Sequence, residues 1–378
     1  MDSINNEKLD IFHSLKKDKK HRVLSILSSP DVTINRVKVL SMSRFGLVDN
    51  ALRKKAWLYM YGIDSPVQNI VSDESAISSH KEYHQVLMDV NRSLKRFPPG
   101  MDEVVRMAMQ DQLVNLIIRV LIHNKSLHYY QGFHDVCVTF LLVLTEDEAF
   151  SLISKLATTH FIDFMAQTME ATTQLLYLIY AIVELENPSI IKTLQQVSVE
   201  PFFALPWVIT WFGHVLGDLS RILRVYDFFV ASDPIMPLYL SAAIVLYRQE
   251  EVASTETDFA QLHHMLTSLP KSLPIETLIS DAMDLFLRHS PDQIIVSKAL
   301  PRQINLRLTT IGSEIIRRKK GPIGDSIDTR VRATYHRSVS PISLLNFAIS
   351  RNSDWAKKMI IVTILVGILS VLVRLWFF

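Results

Sequence analysis

With 378 residues, 48% of them apolar and only 10 glycines, the chain can build a large helical core and is poorly supplied with the turns a many-stranded β architecture needs. A formal net charge of +2 gives no electrostatic footprint for nucleic acid. The single cysteine, Cys137, excludes an intramolecular disulfide and a cysteine-based zinc site, and suits a reducing compartment.

The N-terminal stretch carries no apolar run of the kind a cleavable secretory signal requires. Glu7 to Leu27 reads as a basic, solvated amphipathic helix, which makes residues 1–42 a helical extension. In Ser43–Gly62, Asp49 or Asn50 is placed to cap a helix that starts before Leu52, with Trp57 on its buried side. From Lys81 to Gly100 the spacing again predicts a helix. Tyr83, Val86, Leu87, Val90 and Leu94 gather on one face, and Lys81, Gln85, Asp89, Arg92 and Arg96 on the other. Arg92 is expected to point outward, with Asp89 three residues earlier positioned to steady its side chain. Phe97-Pro98-Pro99-Gly100 then stops the helix, because neither proline can donate to it.

A long helix is predicted over Met101–Asn124, followed by KSLHYYQGFHDVCVTFLLVL. Its apolar half, Val136 to Leu144, reads as a buried helix. The polar half, His128 to Asp135, sits at the helix start or in the loop before it, which groups Tyr129, Gln131, His134 and Asp135 where unpaired backbone N–H groups favour an anion. More helices follow to Val245, and the aromatic-rich segment Pro201–Pro234 is expected to form the core of the second half. Arg224 and Asp227 lie inside that segment and would have to be paired there. Prolines at 270, 274, 291 and 301 mark short helices up to Leu306, and no strand-like alternation persists.

Residues 307–358 are basic and carry scattered Gly, Ser and Pro, as in a flexible stalk. The terminal segment Met359–Phe378 is apolar on every side except at Arg374 and is preceded by Lys357 and Lys358. As a helix it would be about 30 Å long, enough to span a bilayer core as a single C-terminal anchor with the lysines cytosolic.

Several chemistries find no support. The chain has no G-x-x-x-x-G-K-[ST] loop for nucleotide hydrolysis, and neither His263-His264 nor His128, His134 and Asp135 has metal-ligand spacing. Cys137 heads an apolar run and reads as core instead of nucleophile. No metal and no cofactor of its own is expected.

Two polar constellations remain, Val86-x-x-Asp89-x-x-Arg92 and Tyr129-x-Gln131, together with Arg44-x-Gly46, Leu52-Arg53-x-x-x-Trp57 and Trp211-Phe212 followed by Arg224-x-Tyr226-Asp227-Phe228. In order and spacing they resemble the motifs of the TBC-domain family of Rab GTPase-activating proteins. The wording FPPGM and HYYQG with a C-terminal span looks most like the branch anchored in the endoplasmic reticulum. Val86 where isoleucine is usual and Ser93 where threonine is common are the departures. The resemblance implies an all-α, two-lobed domain over residues 43–306. It further implies Arg92 as an arginine finger, Gln131 as a glutamine finger, and Asp89 and Tyr129 in support. The partner implied is a GTP-bound Rab of the early secretory pathway, which itself carries GTP and Mg²⁺, met at the cytosolic face of the endoplasmic reticulum membrane. The same fold acting as a non-catalytic, membrane-anchored Rab-binding scaffold is the alternative.

Overall fold

The computed structural model describes residues 2–65, 74–92 and 100–294, and the regular structure among them is helical. The sequence-predicted breaker Phe97-Pro98-Pro99, the stalk at 307–358 and the apolar segment at 359–378 lie outside the described residues. Among the described residues no helix is long and apolar enough to cross a membrane. In chain order the helices are α1 (Asp2–Leu27), α2 (Ile34–Met42), α3 (Asn50–Met60), α4 (Glu74–Ser78), α5 (Tyr83–Arg92), α6 (Glu103–His123), α7 (Phe133–Leu141), α8 (Glu146–Ala157), α9 (Glu170–Glu186), α10 (Pro188–Gln196), α11 (Leu205–Ile209), α12 (Leu219–Ala231), α13 (Met236–Tyr247), α14 (Gln249–Ser254), α15 (Phe259–Thr267), α16 (Ile275–Arg288) and α17 (Pro291–Ile294).

Their starts follow from side-chain capping. Thr33, Asp49, Asp102, Asn187, Asp218 and Asp258 each accept a first-turn N–H, and Thr145 with Glu148 closes a capping box at α8. Each cap contributes about 1 kcal/mol. Asp49, not Asn50, caps α3. In the first part of the chain α6 packs against α5, α7 and α8; later, α13 lies against both α9 and α16. Every residue of α13 from Met236 to Val245 is buried, as a helix apolar on all sides requires.

The Pro201–Pro234 segment does more than fill a second half. The Trp211 indole, 0% exposed, packs on Phe161 at 4.6 Å between ring centroids, and on Tyr226 and Phe229 at 5.4 Å each. Phe140 of α7 joins the cluster and links it to Trp57 of α3. Aromatic packing thus ties α3 and α7 to α12. Trp211 and Phe212 hold left-handed φ angles of 48° and 63°, a conformation that costs an L residue roughly 1–2 kcal/mol.

A second tie is electrostatic. Asp227 on α12, 0% exposed, accepts Arg53 Nε at 3.1 Å and the Leu47 N–H at 3.0 Å. Arg224, one turn earlier, donates to Glu276 and to the carbonyls of Met42 and Ser43. The corner between α2 and α3 is therefore clamped by α12 and by Glu276 of α16, which also accepts the Phe45 N–H at 2.9 Å. A Cβ on Gly46, whose φ is 53°, would lie 2.4 Å from Asp227 Oδ2, so only glycine fits. The Arg44-x-Gly46 and Leu52-Arg53-x-x-x-Trp57 sequences thus meet the Arg224–Phe228 sequence in one structural corner. Beside it, burial first and the Arg224 charge second push the Lys19 ammonium down to about 7.

Two outcomes test these ties. Removing one partner of a buried ion pair typically costs about 3–5 kcal/mol, so Asp227→Ala should lose that much in denaturant unfolding. Lys19 binds its proton more weakly folded than unfolded, so its contribution to stability rises with pH between about 7 and its ordinary value of 10.5. Lys19→Met should remove that part of the pH dependence of the unfolding midpoint.

Candidate functional site

Helix α5 buries Val86 and Val90 and ends at Arg92, which is exposed in the last turn, where a cation is favoured by the helix dipole. The outward placement follows from the apolar stripe. Asp89 does not share it. Its carboxylate is 2% exposed and accepts from Tyr129 Oη at 3.0 Å and Gln85 Nε2 at 3.2 Å. Asp89 is thus not a simple outer-face partner for Arg92; it stands at the edge of the stripe, and the Tyr129 hydroxyl draws it inward.

The loop before α7 carries Tyr129, Tyr130 and Gln131. The Tyr130 hydroxyl is buried against the Ile209 carbonyl at 2.7 Å, while Gln131 is exposed. Gly132 caps α7 at φ 114°, and a Cβ there would stand 3.1 Å from Thr210 Cγ2. Residue 132 must therefore be glycine both for its backbone angle and for its close approach to Thr210. Helix α7 starts at Phe133, earlier than its apolar run suggests, so His134 and Asp135 sit inside the first turn at 8% and 3% exposure. They are interior groups, not a rim of the site.

These side chains form two hydrogen-bonded groups, Asp89–Tyr129–His134 and Asp135–His214, with His134 Nε2 3.7 Å from Asp135 Oδ1. Tyr129 Oη gives its proton to Asp89, so it accepts from His134 Nδ1 at 2.9 Å. Burial, and then the Asp89 charge, raise the Tyr129 hydroxyl far above the usual phenol range, which keeps it a donor. Asp135 Oδ2 meets His214 Nδ1 at 2.9 Å, and His214 is exposed. Nothing in the local sequence marks His214; the turn formed by Trp211 and Phe212 brings it here. The first group links α5 to the Gln131 loop and α7, and the second links α7 to the 210–214 turn.

Other candidates are structural. Cys137 is fully buried, and burial raises its thiol well above the ordinary range, away from the thiolate a nucleophile needs. His128 leans on Glu82 at 3.4 Å. Among the described residues no group of three or more His, Cys, Asp or Glu side chains could hold a metal ion.

Among the described residues the regular structure is helical, and it exposes Arg92 at the end of α5 and Gln131 in the loop before α7, two elements joined by the Tyr129–Asp89 hydrogen bond. The Rab-GTPase-TBC domain matches residues 50–253, and the chain belongs to that family, whose members activate Rab GTPases. TBC1 domain family member 20 of Bos taurus is 42% identical over 283 residues, covering 75% of this chain and 70% of the relative. GTPase-activating protein gyp10 of Schizosaccharomyces pombe is 29% identical over 271 residues, 71% of each chain. The crystal structure of the Ypt/Rab-GAP domain of Gyp1p shares the fold, with a TM-score of 0.57 at 14% identity over 72% of this chain and 99% of that one.

Tyr129→Phe leaves the buried Asp89 carboxylate without its best donor. The expected loss is about 1–3 kcal/mol of unfolding free energy, measured by urea titration.

Proposed function

We propose that this domain completes the active site of a GTP-bound Rab GTPase, with Arg92 supplying a guanidinium and Gln131 a carboxamide. The observation that carries the reading is that both side chains are exposed while the elements bearing them are joined through the Tyr129–Asp89 hydrogen bond. Phosphoryl transfer from GTP spreads charge over the γ-phosphoryl oxygens, and a guanidinium inserted from outside neutralises it, an effect worth roughly 10³–10⁵ in rate. At about 1.36 kcal/mol per factor of ten, Arg92 would supply around 4–7 kcal/mol of transition-state stabilisation. Gln131 orients the attacking water. Tyr129 and Asp89 hold the Arg92 helix and the Gln131 loop in register. GTP and Mg²⁺ are brought by the partner, and this chain needs no cofactor.

The tail suggests where this happens. Met359–Phe378 has the length and apolarity of a single bilayer span, and the lysines before it favour a cytosolic domain. We assign the domain to the cytosolic face of the endoplasmic reticulum membrane, acting on Rabs of the early secretory pathway. This assignment rests on the tail and on the motif wording shared with the anchored branch of the family.

Single-turnover hydrolysis across a panel of GTP-loaded Rab GTPases tests the activity. Arg92→Ala should lower stimulation of the best partner by about 10³ or more, and Gln131→Ala should also abolish it, both with unchanged circular dichroism. Full stimulation by Arg92→Ala would remove the finger assignment. A fluorescent fusion lacking Met359–Phe378 should become diffuse in the cytosol, where the full chain outlines the endoplasmic reticulum.

A further inference from the structure

The proposed fingers leave the Asp135–His214 pair without a role. His214 is exposed, with 59% of its side chain accessible, yet one edge of its ring is fixed. Nδ1 lies 2.9 Å from Oδ2 of Asp135, itself 3% exposed. A carboxylate can only accept, so Nδ1 carries the proton that fills this bond, and Nε2, on the far side of the ring, is turned to solvent. Two short paths tie His214 to the Gln131 loop. Its backbone N–H donates to Thr210 Oγ1 at 3.1 Å, and the Thr210 methyl group faces Gly132. Asp135, which holds the ring, donates its own N–H to the Gly132 carbonyl at 3.0 Å. An exposed imidazole held in one orientation by an interior carboxylate, in a turn packed on the residue that follows the exposed Gln131, is a preorganised contact.

We propose that His214 is a third partner-facing residue of the site, its Nε2 hydrogen-bonding a polar group on the GTPase surface that borders the nucleotide, with Asp135 as its positioning residue. The inference rests on the GTPase-activating reading and goes beyond it by adding a recognition contact that neither finger supplies. His214 contributes to docking and leaves the chemistry to Arg92 and Gln131. Its loss should therefore raise KM and spare kcat, the signature of an interaction made equally in the ground and transition states.

The geometry of two substitutions separates docking from structure. The longer side chain introduced by His214→Gln brings its amide to the position of the imidazole Nε2, whereas the shorter one of His214→Asn stops at Nδ1 and keeps only the Asp135 bond. Multiple-turnover kinetics of the full chain, with the GTP-loaded Rab that the wild type hydrolyses fastest, should show KM raised about tenfold, the worth of one good hydrogen bond, in His214→Ala and His214→Asn. His214→Gln should stay within about twofold of wild type, on the same hydrogen-bond scale, and kcat should hold in all three. Wild-type kinetics in His214→Asn, no rescue by His214→Gln, or a fall in kcat in place of a rise in KM would overturn the assignment. A wild-type chain that stimulates no member of the panel would overturn the GTPase-activating reading itself, and this contact with it.

Discussion

One carboxylate, shut away from water, holds the N-terminal corner of this protein to its middle. An ionised Asp227 would cost several kcal/mol to bury alone; paired with the Arg53 guanidinium and the Leu47 amide it becomes a fixed point. The corner it grips contains Phe45, Gly46 and Val48, all at positive φ, a set of angles that persists only where its surroundings over-determine it. The residue before it, Tyr226, reaches the Thr210 carbonyl with its hydroxyl. Thr210 in turn abuts Gly132, the neighbour of Gln131. The structural clamp and the exposed carboxamide are thus connected through a few rigid contacts along α12 and the turn before it.

The other finger is linked by a different device. Asp89, Tyr129 and His134 form a polar seam between α5 and α7 in which the Tyr129 proton goes to Asp89 and the Tyr129 oxygen is met by His134. Such a seam is directional, because each hydroxyl has one proton to give, and it strengthens in a low-dielectric interior. A purely apolar contact between the two helices would allow sliding. The hydrogen bonds set a register, and with it the separation between the end of α5 and the start of α7.

Much of this is legible in the chain. The 3.6-residue spacing of Val86 and Val90 is enough to send Arg92 outward, and Asp49 and Trp57 take the places their residue types suggest. The proposed fingers come from the resemblance of the Val86–Arg92 and Tyr129–Gln131 motifs to those of the family, and each motif is local. What local spacing does not carry is pairing across distance. Asp89 looks like an outer-face residue on a helical wheel, and its burial is made favourable by Tyr129, 40 residues away, together with Gln85 one turn earlier. Arg53 and Asp227 are 174 residues apart, and although both motifs stand out, nothing in either says that they meet. Helix α7 begins earlier than its apolar run because the polarity of His134 and Asp135 is satisfied inside, by Tyr129 and His214. His214 itself sits in a turn whose direction is set by two aromatic residues in an unusual backbone state, and no periodicity announces that.

Trp211 and Phe212 hold that state only because their rings are wedged among Phe161, Tyr226 and Phe229. The turn behaves as a sprung element, compressed by the interior and released if the interior loosens. Trimming a ring there would let the backbone relax toward ordinary angles, shifting the Ile209–His214 segment against Gly132 while the surrounding helices stay folded. Mild damage at the centre of the protein would then surface as misaligned side chains at its rim, well before any loss of the native state.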